Sequence, residues 1–202
     1  MKKIIIVLSA IAAVCSCSTD ATRTNDVVSK IKDPVFKAYC IAKADLNGDK
    51  RISMEEAASV DVMDISGLNV SRLDGIEYFS GLKTLDCSGT KVSKISLNSN
   101  TIQVLMCHDN PSLIKLDLAK APALEFIFAS KTSLKSLDLA AQNGLYRLWV
   151  DSTPLTKLNV VECDRINNLN LFNCKDLKEV VLSPSVNRDL LYVVKDDGLI
   201  VK

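Results

Sequence analysis

The sequence predicts a β-rich solenoid, a stack of coils of about 21 residues that each carry two short parallel strands. Three observations carry this reading. Lining up Leu82, Ile102, Leu124, Leu145 and Ile166 as first positions puts apolar residues at positions one, four and six, with a second apolar set near eleven, fourteen and seventeen. Segments match directly: Leu82-Lys83-Thr84-Leu85-Asp86-Cys87 aligns with Leu145-Tyr146-Arg147-Leu148-Trp149-Val150, and Lys115-Leu116-Asp117-Leu118 with Ser136-Leu137-Asp138-Leu139. Neither segment between the apolar sets has the ten or more residues that a helix needs. A unit of this size cannot bury its apolar face alone, so neighbours must share one core. Solenoids mostly present surfaces to partners, which favours binding over catalysis.

The chain opens with Met1-Lys2-Lys3 and an apolar run from Ile4 to Val14, too short to span a bilayer and therefore read as an export signal. Val14-Cys15-Ser16-Cys17 then resembles the lipobox of bacterial lipoproteins. Cys17 is the expected lipidation site, because Ser16 before it is small while Val14 before Cys15 is bulky; a plain secretory signal is the alternative. Ser18 after the cysteine resembles outer-membrane sorting, so the chain is expected to be exported and lipid-anchored, with the membrane reached through the anchor only. Residues 1–17 are the signal and 18–32 a polar tether.

Residues 33–59 read as a helical N-terminal cap. Asp33-Pro34 supplies an N-cap followed by proline at the first helical position. Asp45 to Glu56 then fits an EF-hand-like loop, with Asp45, Asn47, Asp49, the Arg51 carbonyl, Ser53 (through water) and Glu56 as oxygen donors for calcium. Lys50 stands where that motif wants glycine, and with Arg51 it sets two positive charges beside the cation. Any calcium binding is therefore expected to be weak, nearer the millimolar range. Ser53 and Glu56 equally form a capping box that starts a second helix without metal.

Residues 60–182 are the coils: a degenerate first one from Val60 to Gly81 and five full ones. At about 4.8 Å per coil the six would span roughly 29 Å. Leu85-Asp86-Cys87-Ser88-Gly89 and Gly75-Ile76-Glu77-Tyr78-Phe79 resemble the short leucine-rich repeats of Gram-negative surface lipoproteins, and the resemblance runs from about Asp33 to Leu182. It implies a leucine-rich-repeat right-handed coil, with a small α-helical cap before it. Residues 183–202 contain two strand-like runs, Leu190–Val194 and Leu199–Val201, around Asp196-Asp197-Gly198. They are read as a β-hairpin that caps the C-terminal end.

Five cysteines follow Cys17. Cys87 and Cys107 fall at inward position six and are read as small core hydrophobes. Cys174 falls at position nine, where such repeats often carry asparagine, and a Cys163–Cys174 bridge is left open.

Side chains at positions three, five and seven of the first strand face outward. Across the coils, position three reads Val62, Thr84, Val104, Phe126, Arg147, Asn168. Position five reads Asp64, Asp86, Met106, Phe128, Trp149, Asn170, and position seven Ser66, Ser88, His108, Ser130, Asp151, Phe172. The middle coils thus gather Val104, Met106, Phe126, Phe128 and Trp149, flanked by His108, Arg147, Asp151, Asn170 and Phe172. A large apolar group of this kind on an exposed sheet marks a contact site. The alternatives are a register slip of one residue, which would bury it, and cover by the C-terminal tail or a second copy.

No catalytic constellation emerges. His108 is the only histidine, and Ser130 lies between it and Asp151 in the seventh column, whereas a triad needs histidine in the middle. A formal net charge of +1 gives no reason to expect nucleic acid. The reading is a non-enzymatic envelope module for protein recognition or adhesion. Sugar binding on the same face, with Trp149 and Phe128 as platforms, is the alternative, and a patch used for self-association is a third.

Overall fold

The computed structural model describes residues 26–202. The export signal and Cys17 lie outside them, and none of the described helices is long and apolar enough to cross a membrane.

One strand per coil builds a parallel seven-stranded sheet in the order β1-β2-β4-β6-β8-β10-β12. These strands are β1 (Val62–Asp64), β2 (Thr84–Asp86), β4 (Val104–Met106), β6 (Phe126–Phe128), β8 (Arg147–Trp149), β10 (Asn168–Asn170) and β12 (Tyr192–Val194). The second strands are β3 (Lys94–Asn98), β5 (Lys115–Lys120), β7 (Ser136–Asp138), β9 (Lys157–Asn159), β11 (Glu179–Val180) and β13 (Ile200–Val201). They pair as β3-β5, β7-β9 and β11-β13 along the other side of the stack. This is a parallel-strand β-solenoid of about seven turns.

Strict register carries the packing. Met63, Leu85, Leu105, Ile127, Leu148, Leu169 and Val193 stand side by side at the strand centres. All but Val193 are fully buried. Each such side chain contributes roughly 1.5–3 kcal/mol when taken fully from water.

The corner after each first strand has its own rule. Gly67, Gly89, Asp109, Lys131, Ser152 and Asn173 all hold left-handed backbone, with φ between 54° and 67°. From the second coil onward the next residue turns inward and bonds a corner carbonyl, whereas Leu68 after Gly67 is exposed. Thr90 Oγ1 donates to the Cys87 carbonyl at 2.8 Å, Thr132 to Ala129 at 2.9 Å and Thr153 to Val150 at 2.6 Å. Asn110 Nδ2 reaches the Cys87 and Cys107 carbonyls of two coils at 2.8 and 3.0 Å. In the same column the Cys174 thiol bonds the Val150 carbonyl at 3.2 Å. Cys40, Cys87, Cys107, Cys163 and Cys174 are all free and buried, so the Cys163–Cys174 bridge does not form.

Helices α1 (Pro34–Ala44) and α2 (Met54–Ser59) cover the N-terminal end. Asp33 Oδ1 caps α1 by accepting from the Val35 and Phe36 amides, while its Oδ2 accepts from the amide and hydroxyl of Ser71 in the first coil. Gly81 lies against the end of α2, where an added Cβ would collide with the Ala58 carbonyl oxygen.

Two expectations need correction. The polar tether assigned to residues 18–32 does not extend through its C-terminal part. Val27 and Ile31 are buried in the core, and the Val27 amide donates to the Ile52 carbonyl at 2.9 Å. Those two apolar residues fill the groove beside the helical cap, so the folded unit includes the chain from Asp26 on. The C-terminal strands are not a β-hairpin. β12 pairs parallel with β10, and β13 parallel with β11. They make a seventh coil, because continuing the two ladders satisfies the open edges of β10 and β11, which a self-paired hairpin would leave exposed.

Candidate functional site

The outward columns of the seven-stranded sheet form the site. The parallel pairs Val104–Phe126–Arg147–Asn168 and Met106–Phe128–Trp149–Asn170 are set by backbone register. Ladder bonds continue past the strands: the Asp109 amide donates to the Ser130 carbonyl at 3.0 Å and the Lys131 amide to the Asp151 carbonyl at 2.9 Å. Burial of the intervening residues leaves Val104, Met106, Phe126 and Phe128 half-buried, Trp149 37% exposed and Phe172 53% exposed. The C-terminal residues extend the stack instead of folding over these columns.

The aromatic groups interlock. Phe128 and Trp149 meet edge to face, with ring centres 5.1 Å apart at 83°. Phe126 meets Tyr146 at 6.0 Å and 64°. The Arg147 Cζ lies 5.9 Å from the Phe126 ring centre and 5.7 Å from that of Trp149. Trp149 Nε1–H donates to Asn168 Oδ1 at 2.7 Å, which fixes the indole plane. Beside them opens a depression of about 580 Å³ lined by Met106, Phe128, Arg147 and Trp149, with a polar rim that includes His108, Asp109, Lys131, Asp151 and Asn170.

The rim is largely self-satisfied. Asp151 Oδ1 accepts from the Ser130 hydroxyl and from Asn170 Nδ2. Asp109 receives His108 Nδ1 at 2.8 Å and Lys131 Nζ at 3.1 Å. The His108 contact, and then Lys131, hold the Asp109 carboxyl below its ordinary range. His108 therefore pairs with Asp109 rather than with Ser130, and the seventh column forms no triad. Burial pushes the Cys107 thiol next to His108 up to about 12, so it is no nucleophile at neutral pH.

Sequence reasoning did not single out Tyr146, Asp109 or Lys131. Tyr146 sits at position two, outside the alternating outward set. Asp109 and Lys131 occupy the left-handed corner column, where their common register was the available signal.

The loop from Asp45 to Glu56 is closed by its own amides. Asp45 accepts from the Gly48 and Lys50 amides at 2.7 and 2.9 Å, Asn47 from Asp49 at 2.8 Å and Asp49 from Arg51 at 2.8 Å. Glu56 accepts from the Leu46 amide at 3.0 Å and the Ser53 amide at 2.8 Å, and Ser53 Oγ accepts from the Glu56 amide, which completes the capping box. Lys50 adopts the left-handed conformation, φ 63°, that the loop requires. Among the described residues no group of three His, Cys, Asp or Glu side chains converges.

No protein-family model and no curated protein matches the chain. Among solved structures, it is similar to the functional domain of InlJ from Listeria monocytogenes, at 16% identity over 78% of this chain and 52% of that one, with a TM-score of 0.32. It is similar to internalin C2 from the same organism at 13% identity, over 85% of this chain and 97% of that one, with a TM-score of 0.42. An internalin, InlF, also from Listeria monocytogenes, is similar at 13% identity over 91% of this chain and 72% of that one, with a TM-score of 0.39. The chain thus spans about half the length of the first of these structures.

Proposed function

We propose that the chain is a non-enzymatic recognition module of the cell envelope that binds a protein partner through its outward aromatic face. One observation carries the reading: Phe128, Trp149 and Arg147 meet at an open depression ringed by polar groups. Large aromatic anchors and an arginine inside a polar rim are the composition that concentrates binding energy in protein interfaces. The same rings would serve a sugar as platforms, so the test compares the two ligand classes. A displayed random-peptide library is panned on the chain, and polysaccharide affinity gels are run beside it, each with Trp149→Ala as control. Peptide binding lost in Trp149→Ala supports the reading. Polysaccharide retardation lost in that variant, without peptide binding, replaces it with sugar recognition.

Anchoring at the outer membrane through Cys17 belongs to the same proposal, supported by the run from Val14 to Ser18. Metabolic labelling with an alkyne fatty acid, lost in Cys17→Ala, tests it. The Asp45–Glu56 loop is a cap first. The positive charges of Lys50 and Arg51 beside the loop keep any calcium affinity near the millimolar range. At 10 mM calcium a millimolar site would add about 1.4 kcal/mol of stability, and an unchanged melting curve would remove calcium from the proposal.

A further inference from the structure

Arg147 is the unpaired cation of the depression. Among the described residues it makes no ion pair, and its Nε is closed off from solvent without a hydrogen-bond partner. An enclosed donor of this kind is expensive to leave unmade. Its neighbours explain why it is held there: the rings of Phe126 and Trp149 flank the guanidinium within 6 Å and favour its charge. The other cations of the rim already have a partner. Lys131 and His108 both engage Asp109, and one oxygen of Asp151 takes Ser130 and Asn170. The depression therefore offers one fixed cation beside an apolar floor of Met106, Phe128 and Trp149.

We infer that the site selects a carboxylate, an aspartate or glutamate of a protein partner next to an apolar side chain, with Arg147 as the receiving group. The planar guanidinium fork matches a carboxylate better than an ammonium does. A neutral sugar would leave the charge unanswered. The inference rests on the recognition reading and deepens it.

The test pans a random-peptide library on the full chain in mild detergent, then measures the selected peptides against Arg147→Gln, Arg147→Lys and Trp149→Ala. Unchanged far-ultraviolet circular dichroism and urea midpoints in the two Arg147 variants report intact folding. Selected peptides are expected to carry an acidic residue within two positions of a large apolar one. Arg147→Gln is expected to weaken them roughly ten- to hundredfold, with Arg147→Lys in between. Peptides that carry no acidic residue, or that bind Arg147→Gln as tightly, overturn the inference while the aromatic reading stands. Peptide binding that ignores Trp149→Ala removes the recognition reading, and the carboxylate inference with it.

Discussion

Replacing Asp33 by asparagine separates two jobs that one carboxylate performs. Its Oδ1 caps α1 through the Val35 and Phe36 amides at 2.9 and 3.0 Å, and its Oδ2 holds the Ser71 amide and hydroxyl of the first coil at 2.9 and 2.8 Å. Asparagine keeps the cap, since it is itself a favoured N-cap residue. Its amide nitrogen then faces the Ser71 amide, donor against donor. Losing the charge-assisted bonds to Ser71 is expected to cost about 2 kcal/mol. Alanine also removes the cap, adding about 1 kcal/mol. Urea unfolding followed by circular dichroism gives both values.

The pH dependence carries a sign. Burial alone raises the Asp33 carboxyl, but the bonds from Ser71, Phe36 and Val35 outweigh it and hold the group below its ordinary value of 3.8. Its contribution is therefore complete above the unfolded value and lost as pH falls through the lower folded one. The gap between wild type and Asp33→Asn should be constant from about pH 5 to 8 and close below about pH 4. A variant within about 0.5 kcal/mol of wild type at pH 7, or a gap that widens in acid, would refute the strap between cap and coil.

Asn110→Ala should destabilise by about 2–3 kcal/mol, because it leaves the buried Cys87 and Cys107 carbonyls and the Thr90 hydroxyl short of a partner. Asn110→Thr should cost less, since threonine fills that column in other coils; equal loss in urea titrations would contradict the corner rule. Leu148→Ala, in a fully buried central position, should cost about 2–5 kcal/mol. A loss under about 1 kcal/mol would deny the shared core. Burial raises all five described thiols, with Cys40, Cys107 and Cys163 at about 12, so iodoacetamide at pH 8 should label them only after unfolding. Rapid native labelling counted by mass would contradict their place in the core.

The period of the coils and the faces of the first strands were legible because parallel pairing transmits one alternation from coil to coil. Once Leu85, Leu105, Ile127 and Leu148 are aligned, backbone geometry alone sends Phe126, Phe128 and Trp149 outward. The seventh coil was hidden by its longer spacing, since Asn168 pairs with Tyr192, 24 positions on. Asp196-Asp197-Gly198 also suits a hairpin turn as well as a coil corner. Val27 and Ile31 gave too short a signal: their burial depends on a groove made by residues distant in the chain. The left-handed column mixes glycine, aspartate, lysine, serine and asparagine, so its common conformation had no common chemistry to announce it. That Arg147 lacks a partner is a fact of three-dimensional placement, which no spacing encodes.

The openness of the aromatic face is tested most directly by its own tryptophan, the only one in the chain. Trp149 is 37% exposed, with its indole N–H bonded to Asn168. Acrylamide quenching of the chain from Ser18 onward, which contains every core residue from Val27 to Leu199, should show red-shifted and readily quenched emission. Blue-shifted emission that acrylamide hardly reaches would mean that the ring is covered, and the face could not serve a partner.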